Sequence, residues 1–353
     1  MPLRILFFQG VMTDLEMVTR NTSEVVTLAE LTSVLKKDTK TAYIGFEPSG
    51  FVHLGWKTCA NKIQDLQRAG FQVTILLADW HAWINDKLKG DMAVIHQCAE
   101  YMKDCFTALG VIQVTYVYAQ DFAADLQYWE QVIRVSKNIS LSRVRRAMDI
   151  MGRRADEVKD LAKFLYPAMQ VADIFYLDVD LAYGGMDQRH AHMLCRDVAS
   201  KLKKKKPVAL HTPLICSLVR GGRMDVAKMS KSQPESCIFI HDDPEDIKHK
   251  IKKAYCPEGI VEENPLLEII QHIIFPWLSE PLFIHRKKEF GGLLQYGSYR
   301  DLETDFLAKK IHPLDLKTMV ADYLIQILKP VRDYFTRHPH NLHKFTSLYD
   351  ARQ

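Results

Sequence analysis

From residue 41 onward, short apolar runs alternate with longer stretches whose apolar residues recur every three or four positions, the pattern of strands alternating with helices. Residues 41–46 read as an apolar strand, Glu47-Pro48-Ser49-Gly50 as a turn, and 53–69 as a helix with Cys59, Ile63 and Leu66 at i, i+4 and i+7. Gly70 closes that helix and 71–78 (FQVTILLA) form a buried strand, so 41–78 make one β-α-β unit of the parallel-sheet kind. The unit then repeats. Residues 91–109 predict a helix with Ile95, Cys98, Met102, Cys105 and Phe106 on one face, Gly110 ends it, and 112–118 are the next strand. The prediction is an α/β fold on a doubly wound parallel sheet.

Residues 121–154 are more polar and helix-rich, an insertion between sheet units, with Trp129, Val132 and Ile133 as its exposed apolar candidates. Beyond it, 161–176 and 186–202 predict helices flanking a strand at 180–183. Residues 208–214 predict the last central strand, and Gly221-Gly222 a loop. From Pro244 the pattern changes to helices without long strands, at 247–255, 266–275 and 314–334. The expected division is an N-terminal segment 1–40, a sheet domain 41–223, a loop region 224–243, a helical domain 244–335 and a solvated tail 336–353. Residues 1–11 are expected to be an extension.

Composition narrows the class. The chain has 353 residues, 47% hydrophobic and 25% charged, enough for about two domains with proper cores. Its 16 Gly and 14 Pro follow no repeat period, which excludes collagen-like and solenoid architectures. No apolar window is long enough to span a membrane, and no secretory leader opens the chain, so a cytoplasmic location is expected. Seven cysteines without a C-x-x-C pair fit reduced thiols and predict no structural metal. The net charge of +4 is too mild to name a nucleic-acid partner. Only two local clusters stand out: Arg143, Arg145 and Arg146 with Arg153 and Arg154, and the lysine run 201–206. A solvated helix face is the ordinary explanation of either.

Chemistry is signalled at two places. The helix expected from His53 starts directly after a strand and a Pro-Ser-Gly turn, so its unpaired N–H groups and positive dipole end can face a phosphate, with Gly55 allowing close approach. Lys228-Met229-Ser230-Lys231-Ser232 offers two ammonium groups and two hydroxyls within five residues, suited to charge developing on a triphosphate. Each signal alone is weak: a lone H-x-G is commonly a packing residue beside a glycine, and K-x-S-K-S is commonly a solvated loop.

Together, however, Y-I-G-F-E-P-S-G (43–50), H-L-G-W (53–56), Y-P-x-M-Q-x-x-D (166–173), G-G-M-D-Q-R (184–189) and K-M-S-K-S (228–232) stand in one order at matching spacings. The chain, from about Met12 through Phe335, thereby resembles the tyrosyl-tRNA synthetase family, class I, in its archaeal and eukaryotic cytosolic form. The resemblance implies a Rossmann-type catalytic domain with a helical connective insertion, followed by an α-helical anticodon-binding domain. It also implies a two-step reaction. Tyrosine attacks the α-phosphate of ATP, carried with Mg²⁺, to give tyrosyl-adenylate, and the tyrosyl group then passes to the terminal ribose of tRNA(Tyr). Both nucleophiles belong to substrates, so the protein acts by positioning and by stabilising phosphate charge.

By position in the family's motifs, Tyr43 and Asp173 are expected to hydrogen-bond the substrate phenol, and Tyr166, Gln170 and Gln188 to hold the α-ammonium. A site that pairs a hydroxyl rejects phenylalanine by about 10⁴ to 10⁵, since the analogue leaves buried polar groups unpaired. Gly45, His53, Gly55, Lys228, Ser230 and Lys231 match the ATP site, with His53, Lys228 and Lys231 in the catalytic role. Trp56 stands where the signature usually ends in a second histidine. For tRNA, the resemblance points to Arg143, Arg145, Arg146 and Arg189 at the acceptor stem and to Phe290, His312 and Asp315 at the anticodon. Asp315 also suits a plain helix start. The insertion implies a homodimer. Competing readings are a tryptophanyl-tRNA synthetase, against which Tyr43 with Asp173 argues for a phenol, a catalytically impaired RNA-binding relative, and a small nucleotidyltransferase.

Overall fold

In the computed structural model, residues 12–152, 160–219 and 236–351 are described. Six strands form one sheet: β1 (Glu24–Val26), β2 (Lys40–Phe46), β3 (Phe71–Leu77), β4 (Thr115–Tyr118), β5 (Leu181–Gly185) and β6 (Val208–Thr212). Their order is β1-β6-β5-β2-β3-β4, and every pairing is parallel except that of β1 with β6. The fully parallel sheet expected from sequence thus gains an antiparallel edge, drawn from the 1–40 segment where no strand was predicted. Three residues give too short a run for alternation to be read. The chain steps outward through β2, β3 and β4, then returns to place β5 on the far side of β2. Such a reversal opens a crevice at the carboxyl ends of the strands, where α/β sheets hold ligands.

Strand alternation sorts the side chains onto two faces. Ala42 and Ile44, Val73 and Ile75, and Leu181 and Tyr183 enter one core with the helices Gly55–Arg68 and Met92–Ala108. Tyr43, Leu76 and Ala182 enter the other, against Leu126–Lys137, Ala162–Tyr176 and Arg189–Ala199. Tyr43 is therefore placed on the insertion side by the pleat alone. Gly70 and Gly110 end their helices in the left-handed region at φ +85° and +86°, the role their positions predicted.

Several boundaries depart from the sequence reading. The helix expected from residue 53 starts at Gly55, because the residues before it are held by another segment: His53 pairs with Phe239, and Leu54 N–H donates to the Ile238 carbonyl at 2.8 Å. The helix expected over 186–202 is a 3₁₀ turn, Met186–Gln188, followed by Arg189–Ala199. The 266–275 helix is interrupted by a π-turn at Ile270–Ile274 ahead of Pro276. The 314–334 helix is two, Pro313–Ile327 and Lys329–Arg337, since Pro330 lacks an N–H and cannot continue the first. The helical region also carries a small antiparallel pair, β7 (Leu282–Ile284) and β8 (Leu294–Tyr296). Most consequentially, the supposed solvated tail is a helix, His340–Asp350, packed on Met92–Ala108 with Phe345 fully buried in the first core.

Candidate active site

A cleft of about 420 Å³ opens at the carboxyl ends of β2, β5 and β6, where the strand order reverses. Tyr43, Gly45, His53, Gly55, Trp56, Tyr166, Gln170, Asp173 and Gln188 all line it, so residues spread over 146 positions of sequence meet at one place. Lys228, Ser230 and Lys231, with Arg153 and Arg154, lie outside the described residues.

The helix Ala162–Tyr176 presents Tyr166, Gln170 and Asp173 to the cleft; seven residues at about 1.5 Å each spread the three over about 10 Å. Asp173 is 1% exposed. Its Oδ1 accepts from the Tyr128 hydroxyl at 2.7 Å, while its Oδ2 lies 3.1 Å from His81 Nε2 without hydrogen-bond alignment. Gln170 donates to Gln188 Oε1 at 3.0 Å, and Gln188 donates to Asp187 and to the Ile150 carbonyl. Asp173 Oδ2 and Gln170 Oε1 are buried and find no hydrogen-bond partner among the described residues. An orphaned buried acceptor costs about 1–3 kcal/mol, so two on one cleft-facing helix mark where a ligand's donors belong.

Around them sit groups the sequence reading passed over. Tyr166 donates to Glu47 Oε1 at 2.6 Å, Asn85 donates to the same carboxylate at 3.1 Å, and Lys87 lies 3.6 Å from it. His81 packs edge-on to Tyr166 at 4.8 Å between ring centres. Burial would lower the His81 pKa, but Asp173, Glu47 and Asp79 together raise it. The phenols of Tyr43, Tyr128 and Tyr166 are pushed up, by burial first and then by nearby carboxylates, so all three keep their protons and can donate. Glu47 lay inside a quoted motif and was findable. His81, just past β3, and Tyr128, in the insertion, carried no local signal.

On the other side of the cleft, Gly55 N–H donates to His53 Nδ1 at 3.2 Å, which makes Nδ1 the acceptor and leaves the ring proton on Nε2. A Cβ on Gly55 would lie 2.9 Å from His53 Cε1, so this approach requires glycine. A Cβ on Gly45 would lie 2.6 Å from Tyr43 Oη: glycine there makes room for a phenol, whatever else it serves. Trp56 is 6% exposed and packs between Phe46 and Phe106, ring centres 4.4 and 5.3 Å away, so most of the indole belongs to the core.

The basic candidates are scattered. Arg189 forms a two-pronged pair with Glu24 at 2.8 and 2.9 Å. Glu24 also meets His211, whose Nε2 lies 3.0 Å from His192 Nδ1 in the interior. Arg143 pairs with Asp197. Arg145 and Arg146 are exposed on the helix Leu141–Ala147. Phe290 is 63% exposed in the helical region, and His312, not Asp315, caps the helix Pro313–Ile327, accepting from Leu314 N–H. Arg286 ties the two segments together by donating to the carbonyls of Gly292 and Lys310. Of the insertion's apolar candidates only Ile133 is exposed; Val132 is fully buried and Trp129 donates to the Ala123 carbonyl. No cluster of three or more potential ligands for a metal ion occurs among the described residues.

A cleft at a switch point, with buried amide and carboxylate acceptors on one wall and the start of a helix on the other, is the kind of site in which α/β folds hold small polar ligands. Comparison with known proteins carries this to a family. Residues 35–329 match the tRNA synthetases class I (W and Y). A tyrosine–tRNA ligase of Saccharolobus solfataricus is 48% identical over 341 residues, 92% of this chain and 93% of the relative. The crystal structure of tyrosyl-tRNA synthetase from Aeropyrum pernix is 44% identical and covers 95% of this chain and 98% of its own, with a TM-score of 0.85. That of the Pyrococcus horikoshii enzyme complexed with L-tyrosine is 40% identical with the same coverage and a TM-score of 0.87. The chain belongs to the tyrosyl-tRNA synthetases of class I.

Proposed function

We propose that the cleft joins tyrosine to ATP as tyrosyl-adenylate and then charges tRNA(Tyr), as a tyrosine–tRNA ligase. The observation that carries the reading at residue level is the pair of buried acceptors, Gln170 Oε1 and Asp173 Oδ2, on one helix face. A zwitterionic amino acid with a para-hydroxyl has a donor for each: its ammonium at Gln170, with Gln188 and Tyr166, and its phenol at Asp173, beside Tyr43. Tryptophan's only ring donor is its indole N–H, on a wider ring, which favours tyrosine over the tryptophanyl alternative. His53 and Gly55 take the ATP side, where the positive dipole end of the helix Gly55–Arg68 favours the phosphates of Mg²⁺-bound ATP. Gly45 belongs to that side through the motif, and Lys228, Ser230 and Lys231 through the sequence of their loop.

The tyrosine carboxylate attacks the α-phosphate in line, pyrophosphate leaves, and the ribose hydroxyl of tRNA later displaces AMP from the carbonyl; no protein atom becomes covalently bound. Arg189, Arg143, Arg145 and Arg146 are assigned to the acceptor stem, and Phe290, His312 and Asp315 to the anticodon, with exposed Phe290 available to stack on a base. A cytoplasmic homodimer through residues 121–154 fits the exposed Leu126, Ile133 and Leu141 on the insertion helices. No helix among the described residues is long and apolar enough to cross a membrane.

The deciding experiment is ATP–pyrophosphate exchange with tyrosine, phenylalanine or tryptophan in the presence of Mg²⁺. Exchange with tyrosine alone is expected, and Asp173→Ala is expected to impair tyrosine use far more than ATP binding. Exchange with tryptophan would overturn the pocket assignment, and none with any amino acid would favour an RNA-binding role instead.

A further inference from the structure

The segment that carries His53 is held from a direction the reaction does not require. Val52 N–H donates to the Tyr101 hydroxyl at 3.2 Å, and Ile240 N–H donates to the Val52 carbonyl at 3.1 Å. Phe51, directly before it, touches Phe345 and Tyr349 edge-on at 5.1 and 5.3 Å. Phe345 in turn stacks on Tyr101 at 5.4 Å with ring planes 13° apart. His241, at the end of the segment that pairs with residues 52–54, packs on Phe51, Tyr101 and Phe335. The helix that supplies Phe345 is fixed at its first turn, where Asn341 donates to Asp104 at 3.0 Å and accepts from Gln97 at 3.3 Å.

We infer that the helix His340–Asp350 is a positioning element for the nucleotide side of the active site, with Phe345 as the residue that transmits it to residues 51–54. The inference rests on the reading of His53 as an ATP-side group. One aromatic ring, fully buried, braces the segment whose pairing with residues 238–240 sets the His53 backbone, touching Phe51 directly and Val52 through Tyr101. The tyrosine side has no such dependence, since Asp173, Gln170 and Tyr166 stand on a helix of the other core. Loss of the brace therefore separates the two substrates. Truncating Phe345 leaves a cavity beneath residues 51–54, the His53 backbone and the first N–H groups of the following helix shift, and ATP is misplaced while tyrosine is not.

The test uses the full chain, with ATP–pyrophosphate exchange for ATP parameters and equilibrium dialysis for tyrosine. Phe345→Ala is expected to worsen kcat/KM for ATP by about tenfold or more, because a small misplacement of a bound reactant suffices for that. Its tyrosine Kd is expected to stay within about twofold, well under the factor of ten that about 1.4 kcal/mol represents. Phe345→Leu, which refills most of the volume, is expected to restore most of the loss. Should Phe345→Ala not fold, Asn341→Ala releases the helix at its exposed end and is expected to show the same ATP-selective defect on a smaller scale. ATP parameters unchanged in a folded variant would overturn the inference. Equal weakening of tyrosine and ATP would overturn it too, since that is general destabilisation. A wild-type protein that shows no tyrosine-dependent exchange would instead overturn the reading of the site, and the inference with it.

Discussion

A carboxylate that is to tell a phenol from a phenyl ring must present one oxygen in one orientation, and Asp173 is oriented by Tyr128 at 2.7 Å. On the proposed reading, Tyr128 sets specificity without touching the substrate's backbone. Tyr128→Phe removes a hydrogen bond to a charged group worth about 1.5–3 kcal/mol, so the preference for tyrosine over phenylalanine should fall by about tenfold or more. Comparing kcat/KM for the two amino acids in exchange checks it; an unchanged ratio would falsify the role. Gly45 offers a second test. A methyl there would sit 2.6 Å from Tyr43 Oη and push the buried phenol aside. Gly45→Ala should raise the tyrosine KM by about tenfold, the cost of losing one good hydrogen bond, with the ATP KM little changed. A rise in the ATP KM alone would return Gly45 to the nucleotide side only. Tyr43, Tyr166, Gln170, Asp173 and Gln188 were all readable from sequence because they stand inside motifs of fixed spacing. Tyr128 and His81 were not, because their relation to Asp173 is purely tertiary: Tyr128 and Asp173 are 45 residues apart on different helices.

At the level of elements, legibility followed period and length. Strands β2 and β3 emerged as apolar runs, and the helices before Gly70 and Gly110 because each has a clear apolar period closed by a glycine at positive φ. The edge strand β1 was too short to announce itself, and the start of the helix at Gly55 was displaced two residues by pairing with Phe239, which lies 186 positions away. The last helix was read as solvated because it lies outside the motifs, although Leu342, Phe345, Leu348 and Tyr349 pack on the core and share one helix face, so its period was there to be read. Trp56 shows the reverse case. Sequence marked it as a departure from a signature, but the element that carries it turns the ring into the core, against Phe46 and Phe106. Trp56→Ala should therefore cost about 3–5 kcal/mol of stability, the usual range for removing a buried large aromatic. A urea titration followed by circular dichroism measures it. A loss under about 1 kcal/mol, typical of surface sites, would mean the indole is not part of the packing.

Over the whole molecule, the titratable groups that burial perturbs act together on stability. His192, His241 and His272 are pushed down to about 3, 4 and 4, each by burial first; His211 adds to the effect on His192 and Lys250 to that on His241. A histidine with an unfolded pKa of about 6.5 binds a proton in the unfolded chain well before it does in the fold. Stability is thus independent of these rings above about pH 7.5 and declines as pH falls through about 6.5 toward their folded values. For His192 alone the loss at pH 5 is about 2 kcal/mol, the gap between protonating it in the two states. His81 works in the opposite sense, because its raised pKa adds stability as pH falls, but it is one ring against four, since His211 is lowered as well. Below pH 4.5 a second decline begins. Glu30 is lowered to about 2, where hydrogen bonds from Lys206, Arg196 and Thr27 outweigh burial, and Glu24 is lowered by Arg189 first. Both carboxylates sit where the antiparallel edge and its following helix meet β6 and the helix Arg189–Ala199, so protonating them loosens the same corner that His192 and His211 occupy. From about pH 7 downward the urea midpoint should fall between about 6.5 and 5, and fall again below about 4.5. His192→Asn should make the first step smaller by about a third, since His211, His241 and His272 remain, without moving the second. A midpoint level down to pH 5 would mean these rings are already charged in the fold, and the chain from Arg189 through Glu24 and His211 to His192 would then have to hold a proton rather than exclude one.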